Sequence, residues 1–305
     1  MKFIQFLFLT IFIFCSESVF AQNKFDNFLK PADSLDQNKL KILILAESAL
    51  VTSGLIGLHQ LWYKNYPKSD FHFINDNSEW LQMDKVGHVF SSYHIGRASA
   101  ESFKWAGASK KTQLIYGATL GFSFLSVVEI FDGYSAEWGA STGDVIANAS
   151  GTILFIGQEL IWKEQRITPK FSFHQTEYAP LRPNVLGSSF SEQIMKDYNG
   201  QTYWLSANIK SFCKNSKIPK WLNLAVGYGA DGMITGNETQ LNTFLSPQQT
   251  RIRQFYLSFD VDLTKINTKS HILKTFFSIF NTIKIPAPTI EINSSGKFKF
   301  HSLYF

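Results

Sequence analysis

EIFDGYSAEWGASTGDVIANASG, residues 129 to 151, lies between two apolar stretches of helical length, TQLIYGATLGFSFLSVVEIF at 112–131 and DVIANASGTILFIGQELIW at 144–162. Two such helices on a short link predict an antiparallel hairpin, with Ser141 or Thr142 capping the second helix. The link carries Glu129, Asp132, Glu137 and Asp144, and a loop between buried helices has few places for four carboxylates. Either they form a site or they tie helix ends together.

Two further helices precede this hairpin. DKVGHVFSSYHIGRA opens a helix from Asp84 to about Trp105, and KILILAESALVTSGLIGLHQLWY at 41–63 is long enough to cross a bilayer. Glu47 and His59 make that second stretch a marginal lipid-facing span, because a charge at a helix centre costs about 2.5–3.5 kcal/mol on the insertion scale. Gly117 and Gly121 stand four apart, a spacing that lets helix backbones approach closely, and Ala147, Ser150 and Gly151 give the last helix a similar small edge. The expectation is a four-helix, membrane-associated bundle over residues 40–166.

Past Arg166 the texture changes. TPKFSFHQTEYAPLRPNVLGSS holds three prolines and no helical period, and 167–202 reads as an extended connector. From 203 to 305 the period becomes two: Phe255, Leu257, Phe259, Val261 and Leu263 alternate with Tyr256, Ser258, Asp260 and Asp262, and similar runs start at Tyr203 and Leu222. These are antiparallel strands with one apolar face, interrupted by a helix near His271 to Thr282. The fold class is therefore α+β. The preferred arrangement packs the apolar sheet face on the helical bundle. A component of an outer-membrane barrel is the alternative, suggested by the terminal aromatic of KFKFHSLYF, although four or five strands fall short of a closed single-chain barrel.

The first residues, MKFIQFLFLTIFIFCSESVFAQN, have a lysine, an apolar run and a small residue at Ala21, and are read as a signal peptide over residues 1–21 followed by a mobile lead-in at 22–39. Cys15 follows bulky Ile13 and Phe14, where lipoprotein processing prefers small residues, so lipidation there is the lesser reading. Cleavage would leave Cys213 alone and the fold without an intramolecular disulfide. A net charge of +5 without blocks of Lys and Arg argues against nucleic acid and is ordinary beside anionic lipid. Dilute, marginal helices can be passed beyond the inner membrane, which favours the outer membrane.

Three polar pairs stand near helix ends. Asp84 and His88 are four apart, Glu129 and Asp132 three apart, and Asp144 and Asn148 four apart with Gly151 continuing that face. Antiparallel connectivity brings all three to one end of the bundle. Oxygen and imidazole donors so gathered suit a divalent metal, or acid–base chemistry with His88 beside a carboxylate. The structural alternative has Asp84 and Asp144 favouring helix N-termini, Lys85 and His88 neutralising acids, and Asn148 bonding backbone. No GxSxG elbow, HExxH motif, cysteine pair for zinc or phosphate loop is present.

DKVGH at 84–88 together with residues 129–151 resembles the YfiM-like family (DUF2279) of uncharacterised bacterial envelope proteins, and is more loosely similar to VanZ-type membrane proteins. The matching positions are Asp84, Lys85, His88, Glu129, Asp132, Ser141, Asp144, Asn148 and Gly151. The resemblance implies a small helical envelope domain with the polar cluster as one of its units, and it brings no settled enzymatic activity. The functional expectation is an exported, membrane-associated envelope protein that is structural or binds lipid head groups, with membrane lipid as partner. The alternative is an enzyme acting on an envelope lipid or cell-wall precursor through the Asp/His/Glu cluster.

Overall fold

The structure, a computed structural model, describes residues 23–237 and 250–305. The expected signal peptide lies outside the described residues. Helix α1 spans Gln37–Leu58, opened by Asp36, whose carboxylate accepts from Asn38 N and Lys39 N, and a wider helical turn carries it on to Tyr63. A short strand β1, Phe73–Ile74, leads to helix α2, Met83–Trp105. The segment Lys110–Thr112, a wide turn at Gln113–Gly117 and helix α3, Leu120–Gly133, come next. Strand β2, Ala140–Ser141, pairs in parallel with β1 and runs straight into helix α4, Thr142–Ile161. Ser141 Oγ caps α4 by accepting from Asp144 N at 3.2 Å.

Glycine sets how closely the helices approach. A Cβ on Gly121 would lie 2.1 Å from Ser92 O, and one on Gly151 2.2 Å from Val89 O, so α2 meets α3 and α4 nearly backbone to backbone. Tyr93, Ala100, Leu114, Ala118 and Phe155 fill the space between them. Three of the four expected helices, α2, α3 and α4, pack on one another, whereas α1 does not join them as a fourth member of a bundle. That helix buries Leu43 alone and leaves Ile42, Ile44, Leu45, Leu50 and Ile56 exposed.

The second half is a six-stranded antiparallel sheet in the order β3 to β8: Ile167–Phe173, Gln201–Asn208, Leu222–Asp231, Ile252–Val261, Ala287–Asn293 and Phe298–Tyr304. Helix α5, Phe190–Lys196, precedes β4, and α6, His271–Phe280, precedes β7. Part of the segment read as a connector is thus the first strand. Pro169 is tolerated because β3 lies at an edge of the sheet order.

The sheet is turned opposite to the preferred expectation. Leu205, Val226, Leu257, Ile290 and Phe300 form one cross-strand row, and four of these five are exposed. Ser206, Ala225, Ser258 and Thr289 form the next row on the other face, and all are buried. The apolar face meets α2 at one corner, where Phe90 lies 5.8 Å from the Phe171 ring and 5.6 Å from Tyr203. The sheet curls around its polar face. Lys170 of β3 reaches across to Asp260 of β6 at 2.8 Å, and the chain entering β7 bonds back to β3 through Phe171 N to Thr282 O and Lys284 N to Phe171 O, both 2.9 Å. A bulge between Ala287 and Thr289 changes the parity of β8, so Tyr304 turns inward to Tyr256 at 2.9 Å and Phe305 does not share the face of His301.

Candidate functional site

Lys85 stands at the centre of the polar cluster. Its Nζ lies 2.6 Å from Asp76 Oδ2, 3.1 Å from Asp84 Oδ2 and 2.8 Å from Asp144 Oδ1. One turn on, His88 Nδ1 lies 2.9 Å from Asn148 Oδ1, and its Nε2 faces Asp84 Oδ1 at 3.7 Å and Asp144 Oδ1 at 3.9 Å. Glu129 closes the floor: Oε2 accepts from Ser141 N at 3.0 Å, while Oε1, buried and without a hydrogen-bond partner, sits 3.9 Å from His88 Nδ1. Asp84, Lys85, His88, Glu129, Ser141, Asp144 and Asn148 are therefore brought together. Asp132 lies to one side, accepting from Tyr63 OH at 2.7 Å, and Gly151 serves the helix contact one turn below Asn148.

Local structure explains the convergence. The β1–β2 pairing sets Ile74 opposite Ser141, which carries Asp76 to within 2.6 Å of Ser141 Oγ. Trp80, Leu81 and Gln82 all have positive φ, at 46°, 51° and 65°, immediately before α2. Such a left-handed run of non-glycine residues costs about 1–3 kcal/mol each and persists only where surroundings impose it. The sheet imposes it here. Leu81 O accepts from Tyr228 OH and from Arg253 Nη1 at 3.0 Å, and Arg253 also reaches Gln82 Oε1 at 2.5 Å. The sheet also sends Tyr198 from the turn before β4, whose OH donates to Asp84 Oδ1 at 2.8 Å.

Asp76, Tyr63 and Tyr198 were not anticipated. The polar run FHFINDNSEW before DKVGH was the available signal for Asp76. Tyr63 and Tyr198 come from distant elements and leave no local pattern.

Burial and neighbouring charge act unequally on the two aspartates. Burial opposes ionisation of Asp84, but the His88 and Lys85 charges outweigh it and hold the carboxyl below its ordinary range. Burial, followed by the Asp84 charge, pushes the Asp144 carboxyl up. Burial also opposes charge on His88 and Lys85, and in both cases the surrounding carboxylates, Asp84 foremost, raise the group above its usual value. Groups driven apart in this way are suited to holding and passing a proton.

The cluster floors a cleft of about 870 Å³. Aromatic side chains rim it, among them Trp62, Tyr63, Tyr66, Trp80 and Trp138, with Tyr66 and Trp138 in edge contact at 4.6 Å. His94, half-buried, and Arg97, buried, lie elsewhere on α2. His94 Nε2 bonds Pro169 O and Arg97 Nη2 bonds Ser278 O, each at 2.7 Å, tying α2 to the sheet and to α6.

No curated protein and no solved structure matches the chain. A family model described as "Predicted periplasmic lipoprotein (DUF2279)" matches residues 70–156. That span runs from just before β1 into α4 and holds all the cluster residues from Asp76 to Gly151, so the site-bearing helical region is similar to that family, while the sheet lies outside the match.

Proposed function

We propose that this chain is an exported envelope protein held in a bilayer, favouring the outer membrane, whose aromatic-rimmed cleft receives the polar head group of an envelope lipid. One observation carries the reading: exposed apolar side chains cover the outside of the sheet and helices, while buried charged groups gather inside the curled sheet and at the floor of the cleft. Helix α1, at about 1.5 Å per residue, is about 33 Å long, and the ten-residue strands β5 and β6 at about 3.3 Å per residue reach a similar length. Both compare with a hydrocarbon core of about 30 Å. Gln37–Tyr63 and Lys110–Gly133 are each long and apolar enough to cross a membrane. Helix α6 exposes Leu273, Phe276, Ile279 and Phe280 on one stripe, the form of a helix lying in an interface. The free edge of β8 is placed at the water side of that interface, where Lys297 and Lys299 are exposed beside it, because the bilayer core tolerates no open edge. The periplasmic description of the matching family supports export.

Separation of inner and outer membranes with a carbonate wash, followed by mass spectrometry of lipid that copurifies with the chain, tests this reading. Wash-resistant outer-membrane recovery with a bound phospholipid or glycolipid, lost in Trp138→Ala, is the expected result. Recovery in the washed supernatant would overturn the membrane placement. A second reading, acid–base chemistry on an envelope lipid, is favoured by the opposite shifts of Asp84 and Asp144. It predicts turnover of the copurifying lipid that His88→Gln abolishes.

A further inference from the structure

We propose that Asp84, His88 and Asp144 form a site for one divalent transition-metal ion of the zinc or manganese class, with further coordination positions open to the cleft. The site does not depend on where the protein sits in a membrane. One donor atom from each of the three residues lies within 4.8 Å of the other two, and all three residues line the cleft.

The histidine tautomer points the same way. An amide oxygen only accepts, so the 2.9 Å contact to Asn148 Oδ1 places the proton of neutral His88 on Nδ1. Nε2 then directs a lone pair at two carboxylate oxygens, 3.7 and 3.9 Å away. With the imidazole neutral, these three donor atoms repel unless a cation sits among them, and a metal ion there takes the place that a proton on Nε2 fills otherwise. An outer hydrogen bond that orients the imidazole and fixes its tautomer is the usual accompaniment of histidine ligation. A tetrahedral ion at about 2.0–2.2 Å from each donor would separate them by about 3.3–3.6 Å, so a modest closure seats it.

The local charge supports this independently. Among the described residues, Asp76, Asp84, Glu129 and Asp144 have only Lys85 and His88 as cations within ion-pair distance, so carboxyl groups outnumber cations in a largely buried place. Glu129 is 4% exposed, yet its Oε1 has no hydrogen-bond partner, and Asn148 Nδ2, on a fully buried residue, has none either. Buried charge of this kind is costly until paired. Lys85 is compatible with the ion: it bonds Asp84 through Oδ2, leaving Oδ1 toward His88, and it grips Asp144 through both oxygens. Tyr198 donates to that same Asp84 Oδ1, steadying it from the other side. Two carboxylates and an imidazole suit Zn²⁺ or Mn²⁺, whereas Mg²⁺ and Ca²⁺ prefer oxygen alone. Three protein ligands with open positions resemble the pattern of catalytic rather than structural zinc.

The test titrates the full, tag-free chain, purified in detergent and stripped with a chelator, with Zn²⁺, Mn²⁺ and Mg²⁺ in turn by calorimetry. X-ray absorption is then recorded on the zinc-loaded protein. One ion per chain, binding of Zn²⁺ at least about tenfold tighter than Mg²⁺, and a first shell of one imidazole with oxygens are expected. Asp144→Asn and His88→Ala should each weaken binding by about 10- to 100-fold, comparable to or beyond outer-shell losses, while His301→Ala leaves it unchanged. Absence of saturable Zn²⁺ binding by the unsubstituted chain overturns the proposal whether or not the variants fold. A first shell containing sulfur, or affinity that survives both substitutions, overturns it equally.

Discussion

Two regions of this molecule bury charge, and they do so differently. Inside the curled sheet, Lys170 and Asp260 are both fully buried at 2.8 Å, and each makes further hydrogen bonds. Lys170 Nζ also donates to Val261 O, Asp260 accepts from Ser206 Oγ at 2.6 Å and Ile285 N at 3.0 Å, and Lys284 Nζ donates to Ile285 O beneath the Trp204 ring. Asn208 and Asn223 extend the network, bonded to each other at 2.7 Å. Between the helices, by contrast, the cluster opens on a cleft, holds more carboxylates than cations, and leaves Glu129 Oε1 and Asn148 Nδ2 without hydrogen bonds. A closed, satisfied network specifies architecture. An open, unbalanced one stores a cost that a ligand can relieve.

The largest effect that could break this contrast belongs to the closed network. Lys170→Met removes the cation and strands the Asp260 carboxylate in a dry interior, so unfolding in detergent should show a loss of about 3–5 kcal/mol. A loss under about 1 kcal/mol would mean that water reaches the inside of the sheet and that the network is not closed.

Next comes the contact that positions the open cluster. A methyl on Gly151 would stand 2.2 Å from Val89 O, so Gly151→Ala should force α2 and α4 apart at a cost of about 1–3 kcal/mol. Because Asn148 lies one turn away, the same variant should also weaken any ligand binding in the cleft. Unchanged stability would show that the helix contact is looser than its geometry.

The sheet's two faces provide a smaller and directional comparison. Leu257→Ser on the exposed row should change stability in detergent by no more than about 0.5 kcal/mol. Ser258→Leu, one residue on and buried, should cost about 1–3 kcal/mol by overfilling the inside. The reverse ranking would restore the arrangement in which the apolar face packs on the helices.

These differences follow what the sequence could and could not express. Helix positions were legible because apolar spacing, Ser141 as a cap and the glycine spacing agree with one another. Convergence of Asp84, His88, Glu129 and Asp144 was legible because it follows from helix period and antiparallel links. Ile167, Pro169, Phe171 and Phe173 alternate with Thr168, Lys170 and Ser172, so β3 was also written in the chain, but its proline and those that follow masked the period. Which face of the sheet turns inward was not legible, since alternation separates two faces without saying what each one meets. Asp76 and Tyr198 reach the site only through the β1–β2 pairing and a tyrosine from the far end of the chain, contacts that no local pattern records.

The most direct test of the contrast sets Asp144→Asn beside Lys170→Met in one thermal-unfolding series, in chelator and without added metal. If the open cluster is a site carrying unrelieved negative charge, Asp144→Asn leaves the midpoint unchanged or raises it, while Lys170→Met lowers it by many degrees. Equal, large losses in both variants would contradict the account and make the helical cluster a structural lock like the one inside the sheet.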